Sequence, residues 1–353
     1  MAKSLQAALL WLLMSCAACS GACDGGAKSG GPPPAHGTSS PHEPLSPSDH
    51  VKSTMTFADA NWADTVAAGQ WAILVATIEE VAPGPPPEEE QIGGTLRLSV
   101  ARDLTKPRWE GPPSVLVGYA QYASEILRAR LGGQGWNAMD LKPGQMVLVA
   151  VPPVPKTTAE VVGPLGAVSV EKLASAADPF VAGVEGALAI EEEKDTAKRV
   201  DLLRAGAKSN LPFLPGYSHY AMGRLHRIPR KEAVALELSL LSDAGSAVRA
   251  QSTLERELWL DETPADPLNK QILGAFFGLL AGPDEALAKS TLTGLFNMLE
   301  CEDEAATDYR AEAMKDVAIS DKSAILGALK KLGSDPEVGD DARAVAGVLA
   351  SLK

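Results

Sequence analysis

The hydrophobic period of this chain changes once, near Asp178, so one repeating element cannot account for its whole length. Upstream, apolar residues alternate or run together in short stretches. Trp71 to Val81 reads Trp-Ala-Ile-Leu-Val-Ala-Thr-Ile-Glu-Glu-Val. Thr95 to Ala101 puts Leu96, Leu98 and Val100 on one face and Thr95, Arg97 and Ser99 on the other. Both patterns predict strands, because side chains alternate sides along extended backbone. Ser114 to Tyr119 and Gln145 to Val151 predict two more. Between them, Tyr122 to Leu131 reads as a short helix stopped by Gly132-Gly133. Val161-Val162 and Ala167 to Val170 flank Gly163-Pro164-Leu165-Gly166, turn chemistry that predicts a closing hairpin.

Downstream, Ala, Leu, Glu and Lys dominate and the apolar spacing becomes helical. The stripes are Leu268, Ile272, Phe276 and Leu279/Leu280; Leu292, Leu295/Phe296 and Leu299; Ile325, Ala328/Leu329 and Leu332; and Ala342, Val345/Ala346, Leu349 and Leu352. Each reads as the buried face of an amphipathic helix. A length of 353 residues fits two domains with extensions. The 45% hydrophobic content suffices for real cores, and 5% aromatics means that Ala, Leu and Val must build them. With 45 acidic against 32 basic residues and a net charge of −13, the chain lacks the basic balance of a nucleic-acid binder. Four cysteines are too few for a disulfide-dense scaffold.

The N-terminus reads as an address. Met1–Lys3 is a short positive start, and Leu5 to Met14 is apolar except for Gln6. A spanning helix needs about 20 apolar residues, so this run fits a signal-peptide core. It leads into Leu13-Met14-Ser15-Cys16, which resembles a bacterial lipobox. The resemblance implies that the chain is cut before Cys16 and that the Cys16 thiol is acylated, as by palmitate. Cys19, after Ala17-Ala18, is the competing site, and an ordinary secretory signal cut near Ala18 is the alternative. From Gly25 to about Pro47 the composition is Gly, Pro, Ser and His, too polar to bury a core. It reads as a tether with a reach of about 30 Å.

Two further resemblances bear on the fold. The order strand, strand, strand, helix, strand, strand is that of an OB-type barrel. The Trp71–Val81 strand, Val100 followed by Leu104 and Lys106, and Leu141-Lys142-Pro143-Gly144-Gln145 make it similar to the netrin-like branch of OB folds. No cysteine lies between residues 24 and 300, so the disulfides of the better-known members are absent. A long tether also separates the first cysteine from the barrel, so metalloprotease inhibition of their kind does not carry over. In the helical half, Leu240-Leu241-Ser242-Asp243-Ala244-Gly245-Ser246-Ala247-Val248-Arg249-Ala250 resembles a HEAT-repeat turn. Leu332 to Ala346, with Asp335, Asp341 and Arg343, is a looser copy, and Leu279-Leu280 to Leu292 a third. The resemblance implies that Asp243 caps a helix and that Val248 is buried between stacked helices, with Arg249 more exposed.

Chemistry-bearing patterns are sparse. No Walker or dinucleotide loop appears, and Gly132-Gly133-Gln134-Gly135 lacks the Lys-Ser/Thr that would follow. There is no Gly-x-Ser-x-Gly elbow. Cys16, Cys19 and Cys23, like His36, His42 and His50, fall in the signal and tether region. His219 and His226 are seven apart, on one face of a helix if a helix spans both, and would need a third ligand to hold metal. Glu88-Glu89-Glu90 and Glu191-Glu192-Glu193 read as solvated charge, the second at a helix face or end. Trp109 beside Arg108, Lys106 and Arg102 is a small basic–aromatic cluster able to stack on a sugar or peptide. Cys301 reads as a small buried hydrophobe.

The expected architecture is multidomain α and β. A signal peptide spans 1–15 and a lipoprotein tether 16–53. An OB/netrin-like β-barrel spans 54–172, and an α-helical HEAT-like solenoid spans 178–353. The expected function is a non-enzymatic, lipid-anchored envelope lipoprotein acting as a protein-interaction or scaffold module. It would sit on a bacterial membrane, the outer ahead of the inner, with another envelope protein as partner. It would use no cofactor, metal or nucleic acid. A soluble periplasmic form is the alternative location. A glycan- or peptide-binding barrel is the alternative function, and a periplasmic enzyme the third.

Overall fold

The computed structural model describes residues 57–83, 91–105, 109–122, 141–153, 165–166, 169–260, 266–301, 303 and 306–351. Among them the chain forms a six-stranded sheet and eleven α-helices, a mixed α and β protein. A helix not expected from the sequence comes first: α1 (Phe57–Ala68) buries Trp62, Ala63 and Val66. The sheet follows as β1 (Ala72–Pro83), β2 (Gln91–Asp103), β3 (Ser114–Tyr122), β4 (Met146–Val151), β5 (Leu165–Gly166) and β6 (Ser169–Leu173). The first four match the expected strands. The expected 122–131 helix lies outside the described residues apart from Tyr122, which ends β3.

The strand order is β5-β3-β2-β1-β4-β6. All neighbours are antiparallel except β3 and β5, where Val117 opposes Leu165 in parallel. This corrects the closing hairpin. Leu165-Gly166 is strand rather than turn and pairs with β3, while Ser169–Leu173 pairs with β4; Val161, Val162, Ala167 and Val168 of the expected hairpin lie outside the described residues. Backbone groups of a buried edge must find partners, and β3 and β4 supply them. Two register shifts interrupt the β1–β2 ladder, after Val75 and after Ile78. Such bulges bend and coil a sheet.

Burial explains why Trp71–Val81 and Met146–Val151 read as nearly continuous apolar runs. Ala72, Leu74, Ala76 and Ile78 of β1 join Leu96, Leu98, Val115, Val117, Val147 and Val149 in one cluster. Ile73 and Val75, on the opposite face, join Leu148 and Ala150 against Trp62 of α1. A strand covered on both faces has no solvent side to make polar. Arg97 of β2 is exposed, so β2 keeps the alternation.

The helices are α2 (Pro179–Glu192), α3 (Thr196–Ala207), α4 (Leu214–Gly223), α5 (Arg230–Leu240), α6 (Ala247–Leu260), α7 (Pro267–Leu280), α8 (Glu285–Met298), α9 (Thr307–Met314), α10 (Lys322–Leu332) and α11 (Gly339–Ser351). Their starts are chemically marked. Asp178, Asp195, Asp266, Asp284 and Asp321 each accept a hydrogen bond from a backbone N–H of the first turn. Such caps satisfy orphan amides and each contributes about 1 kcal/mol. Helices pack pairwise, α3 with α4, α5 with α6, α7 with α8, and α10 with α11. The first members also pack in the row α3-α5-α7-α10, and the second members in the row α4-α6-α8-α11. The four sequence stripes face one cluster that includes Ile272, Phe276, Leu292, Leu295, Ile325, Leu329, Val345 and Leu349.

The sheet and the first helices share a core. Leu148, Ala150 and Leu173 lie in the same cluster as Val181 and Val184 of α2, Leu203 of α3 and Tyr217 of α4. Aromatic contacts run through it: Trp62 meets Phe180 edge-on with centroids 6.1 Å apart, and Phe213 follows at 5.5 Å. Apolar packing therefore crosses the loop between Leu173 and Pro179.

The turn at Asp243 joins α5 to α6. The Asp243 backbone carbonyl accepts from the Ser246 and Ala247 amides at 2.9 and 2.8 Å. Val248 is not fully buried. Ser246, Ala247, Ala250 and Leu254 face inward, and Val248 and Arg249 are both half-buried. The helix begins at Ala247, which rotates Val248 off the inward face.

Candidate functional site

Helix α4 starts under constraint. Phe213, its N-cap, has φ 71°, a left-handed conformation that only strong surrounding packing holds in a bulky residue. That packing comes from Phe180 and Tyr217, each with its ring centroid 5.5 Å from that of Phe213. The turn drives α4 into the core, and every residue from Tyr217 to Gly223 is buried. Its polar side chains must then be met inside the protein, because an unpaired buried polar group costs about 1–3 kcal/mol.

Each is met by a different element. Tyr217 donates to Glu191 Oε1 at 2.5 Å, and Ser218 donates to the Leu214 carbonyl at 2.9 Å. Tyr220 donates to Asp64 of α1 at 2.5 Å. Burial, then the nearby Glu191 charge, pushes the Tyr217 hydroxyl well above the ordinary phenol range. His219, 4% exposed, sets Nδ1 at 2.9 and 2.8 Å from the two carboxyl oxygens of Glu237, 1% exposed, on α5. Burial pushes the Glu237 carboxyl above its usual range, the bond with His219 works the other way, and the Glu257 charge raises it further. Glu257 on α6 is also buried and pairs through Oε2 with Arg230 at 3.3 Å. Arg230 in turn reaches Asp266 at 3.2 Å and donates to Asn269 Oδ1 at 2.7 Å. Among the described residues, two buried side-chain polar atoms have no hydrogen-bond partner: His219 Nε2 and Glu257 Oε1. A histidine oriented by a buried carboxylate is arranged to hold or pass a proton. The sequence marked His219 only as half of a histidine pair and Glu191 only as part of an acidic run; nothing in it joined His219 to Glu237 or Glu191 to Tyr217, because the partners sit on separate helices.

The residues singled out in the sequence fare differently. His219 and His226 do not share a helical face, since α4 ends at Gly223 and His226 sits in the following loop with φ 50°. Glu191 is the last-turn residue of α2 that joins Tyr217 and Arg227 rather than solvent. Glu193 accepts from the Asp195 amide at 2.8 Å. Trp109 packs against the sheet cluster, over Gly111, where any Cβ would strike its ring at 2.6 Å. Arg102 pairs with Glu185 of α2. Cys301 is a free thiol packed at the edge of the helical core, pushed up by burial. Cys16, Cys19, Cys23, His36, His42, His50, Glu88 to Glu90, Lys106, Arg108 and Gly132 to Gly135 lie outside the described residues. Among the described residues, no group of three or more His, Cys, Asp or Glu could hold a metal ion. No described helix is long and apolar enough to cross a membrane. No protein-family model, curated protein or solved structure matches this chain.

Proposed function

We propose that this chain is a bacterial envelope lipoprotein, anchored through acylated Cys16, whose folded part is a non-enzymatic docking platform for another envelope protein. The observation that carries this reading is the double row of helices. Rows of paired helices that touch neighbours in order are how solenoid repeats bury faces no single pair can bury alone. A HEAT-like array is the finer reading. It is supported by the turn at Asp243 and by Asp335, in the looser copy, which reaches back to Lys289 of the preceding pair at 2.6 Å. Extended helical rows suit protein recognition, which is an argument from architecture alone.

For the sheet, the finer reading is an OB-type barrel. Its support is that β5 and β6 stand at opposite ends of the strand order, yet only residues 167 and 168 separate them in sequence. A segment that pairs with β3 and then with β4 would bring the two sheet edges together. The bulges in β1–β2 supply the required curl.

Mass spectrometry of the mature protein tests the anchor. Acylated Cys16 as first residue is expected, and C16S should leave the membrane fraction. An unmodified N-terminus near Cys19 would instead make the protein periplasmic and soluble. Affinity capture of wild type and C16S from envelope extracts tests the platform. The same protein partner should be recovered with both and lost on charge reversal along one helical row. Recovery that no change in either row affects would remove the platform.

A further inference from the structure

We propose that His219, Glu237 and Glu257 form a proton-dependent lock across α4, α5 and α6, which tightens this part of the helical array at low pH and loosens it as pH rises. The geometry comes first. His219 Nδ1 bonds both oxygens of Glu237 at 2.9 and 2.8 Å, and both residues are nearly inaccessible to water. Isolated buried charge is strongly unfavourable, so such a pair is most stable when its net charge is zero. In that state one proton lies between Nδ1 and the carboxylate and a second sits on Nε2. Loss of the second proton leaves the pair with a net negative charge.

The two orphan atoms give this proton its consequence. With the pair neutral, His219 Nε2 is a donor and Glu257 Oε1 is an acceptor, so the two are complementary. With the pair deprotonated both are acceptors, and a second negative charge is added beside Glu257. Glu257 already acts on Glu237 electrostatically, so the two carboxyls share one buried region. Gly223, one turn after His219, has a Cβ position 3.9 Å from Glu257 Oε1, which brings α6 onto the same side of α4.

The surrounding charges do not cancel the effect. On α5, Arg230 neutralises Glu257 but is shared with Asp266 at the start of α7. On α4, Tyr217 and Tyr220 are engaged by Glu191 and Asp64, and Arg224 lies over the Tyr220 ring at 5.3 Å. The sign follows from Glu237. Its carboxyl is raised on folding, so its contribution is complete below the ordinary carboxylate range and is lost as pH rises through the folded-state value.

The test is hydrogen exchange of the mature protein and its E237Q variant, compared at the same pH, at pH 5 and at pH 8.5. The amide introduced by E237Q can donate to Nδ1, which keeps the proton on Nε2 with the pair uncharged, and it cannot ionise. Amides of α4, α5 and α6 should exchange at similar rates in both proteins at pH 5. At pH 8.5 they should exchange several-fold faster in wild type than in E237Q. An unchanged ratio at the two pH values overturns the lock. If E237Q does not fold, carboxyl ¹³C NMR decides in E171Q, which removes Glu171, a second glutamate carboxyl raised by burial among the described residues. One remaining glutamate carboxyl should titrate above the rest, and uniform titration overturns the proposal.

Discussion

Tyr220 and Asp64 meet across 156 residues of sequence, the hydroxyl of one donating to the carboxylate of the other at 2.5 Å. The bond fastens α1, ahead of the sheet, to α4 in the helical array. Arg227 adds a second fastening, donating to the Ala67 carbonyl at 3.1 Å.

Y220F should lower Tm at pH 7 by a few degrees, since one hydrogen bond is worth about 1 kcal/mol and Asp64, being exposed, regains water. Burial, then the bond to Asp64, pushes the Tyr220 hydroxyl up to about 12 from 10.0. The contribution is therefore complete below pH 10 and lost as pH rises through 12. Thermal melts from pH 7 to 12 should show wild type and Y220F converging above pH 10. A constant gap would rule out this bond as the cause.

The shared core predicts a single unfolding unit for the sheet and its nearest helices. Trp62 is 2% exposed and touches Phe180, so W62A should lose about 3–5 kcal/mol. Far-ultraviolet circular dichroism and hydrogen exchange in β1 and α2 should shift together. If β1 keeps wild-type protection while α2 loses it, the two regions unfold separately.

β2 was legible because its faces differ in solvent contact, β1 and β4 because burial on both faces leaves short continuous apolar runs, and the rear helices because each has one wet side. α1 escaped notice because Trp62, Ala63 and Val66 are a short apolar set in a stretch of small residues next to strong strand signals. The His219–Glu237 pair was hidden for a different reason. Its partners lie 18 residues apart on two helices, and the turn that buries α4 depends on Phe213 adopting a left-handed backbone. Such a conformation is decided by tertiary packing and has no local signature in a phenylalanine. Tyr217, read alone, likewise gives no sign that Glu191 is its partner.

The inward register of α6 separates two neighbouring substitutions. Ala250 is fully buried, whereas Val248 is half-buried. A250D places a carboxylate where it has neither water nor a partner, and should unfold the α4–α6 region, since whole domains are stable by only about 5–15 kcal/mol. V248D can turn its carboxylate toward solvent and should lower Tm far less. Melts of the two variants in the full chain compare them directly, and equal losses would mean that the register of α6 is wrong.

Two helical glycines should respond in opposite directions to the same added methyl. Gly183 of α2 lies against the Pro212 carbonyl, and a Cβ there would enter the van der Waals shell of that oxygen. Because the obstacle is backbone at the approach to α4, it cannot rotate away. G183A should destabilise by about 1–3 kcal/mol, as overpacked sites do. Gly327 of α10 is exposed, and its Cβ would meet nothing within 4 Å. G327A adds no clash and restricts the unfolded chain, so it should stabilise by about 0.5–1 kcal/mol. Denaturant titrations of both variants, with unchanged m-values, would measure the two shifts. If G183A matched wild type, the close approach of α2 to the Pro212 turn would not exist in solution, and the route by which Phe213 enters α4 would have to be redrawn.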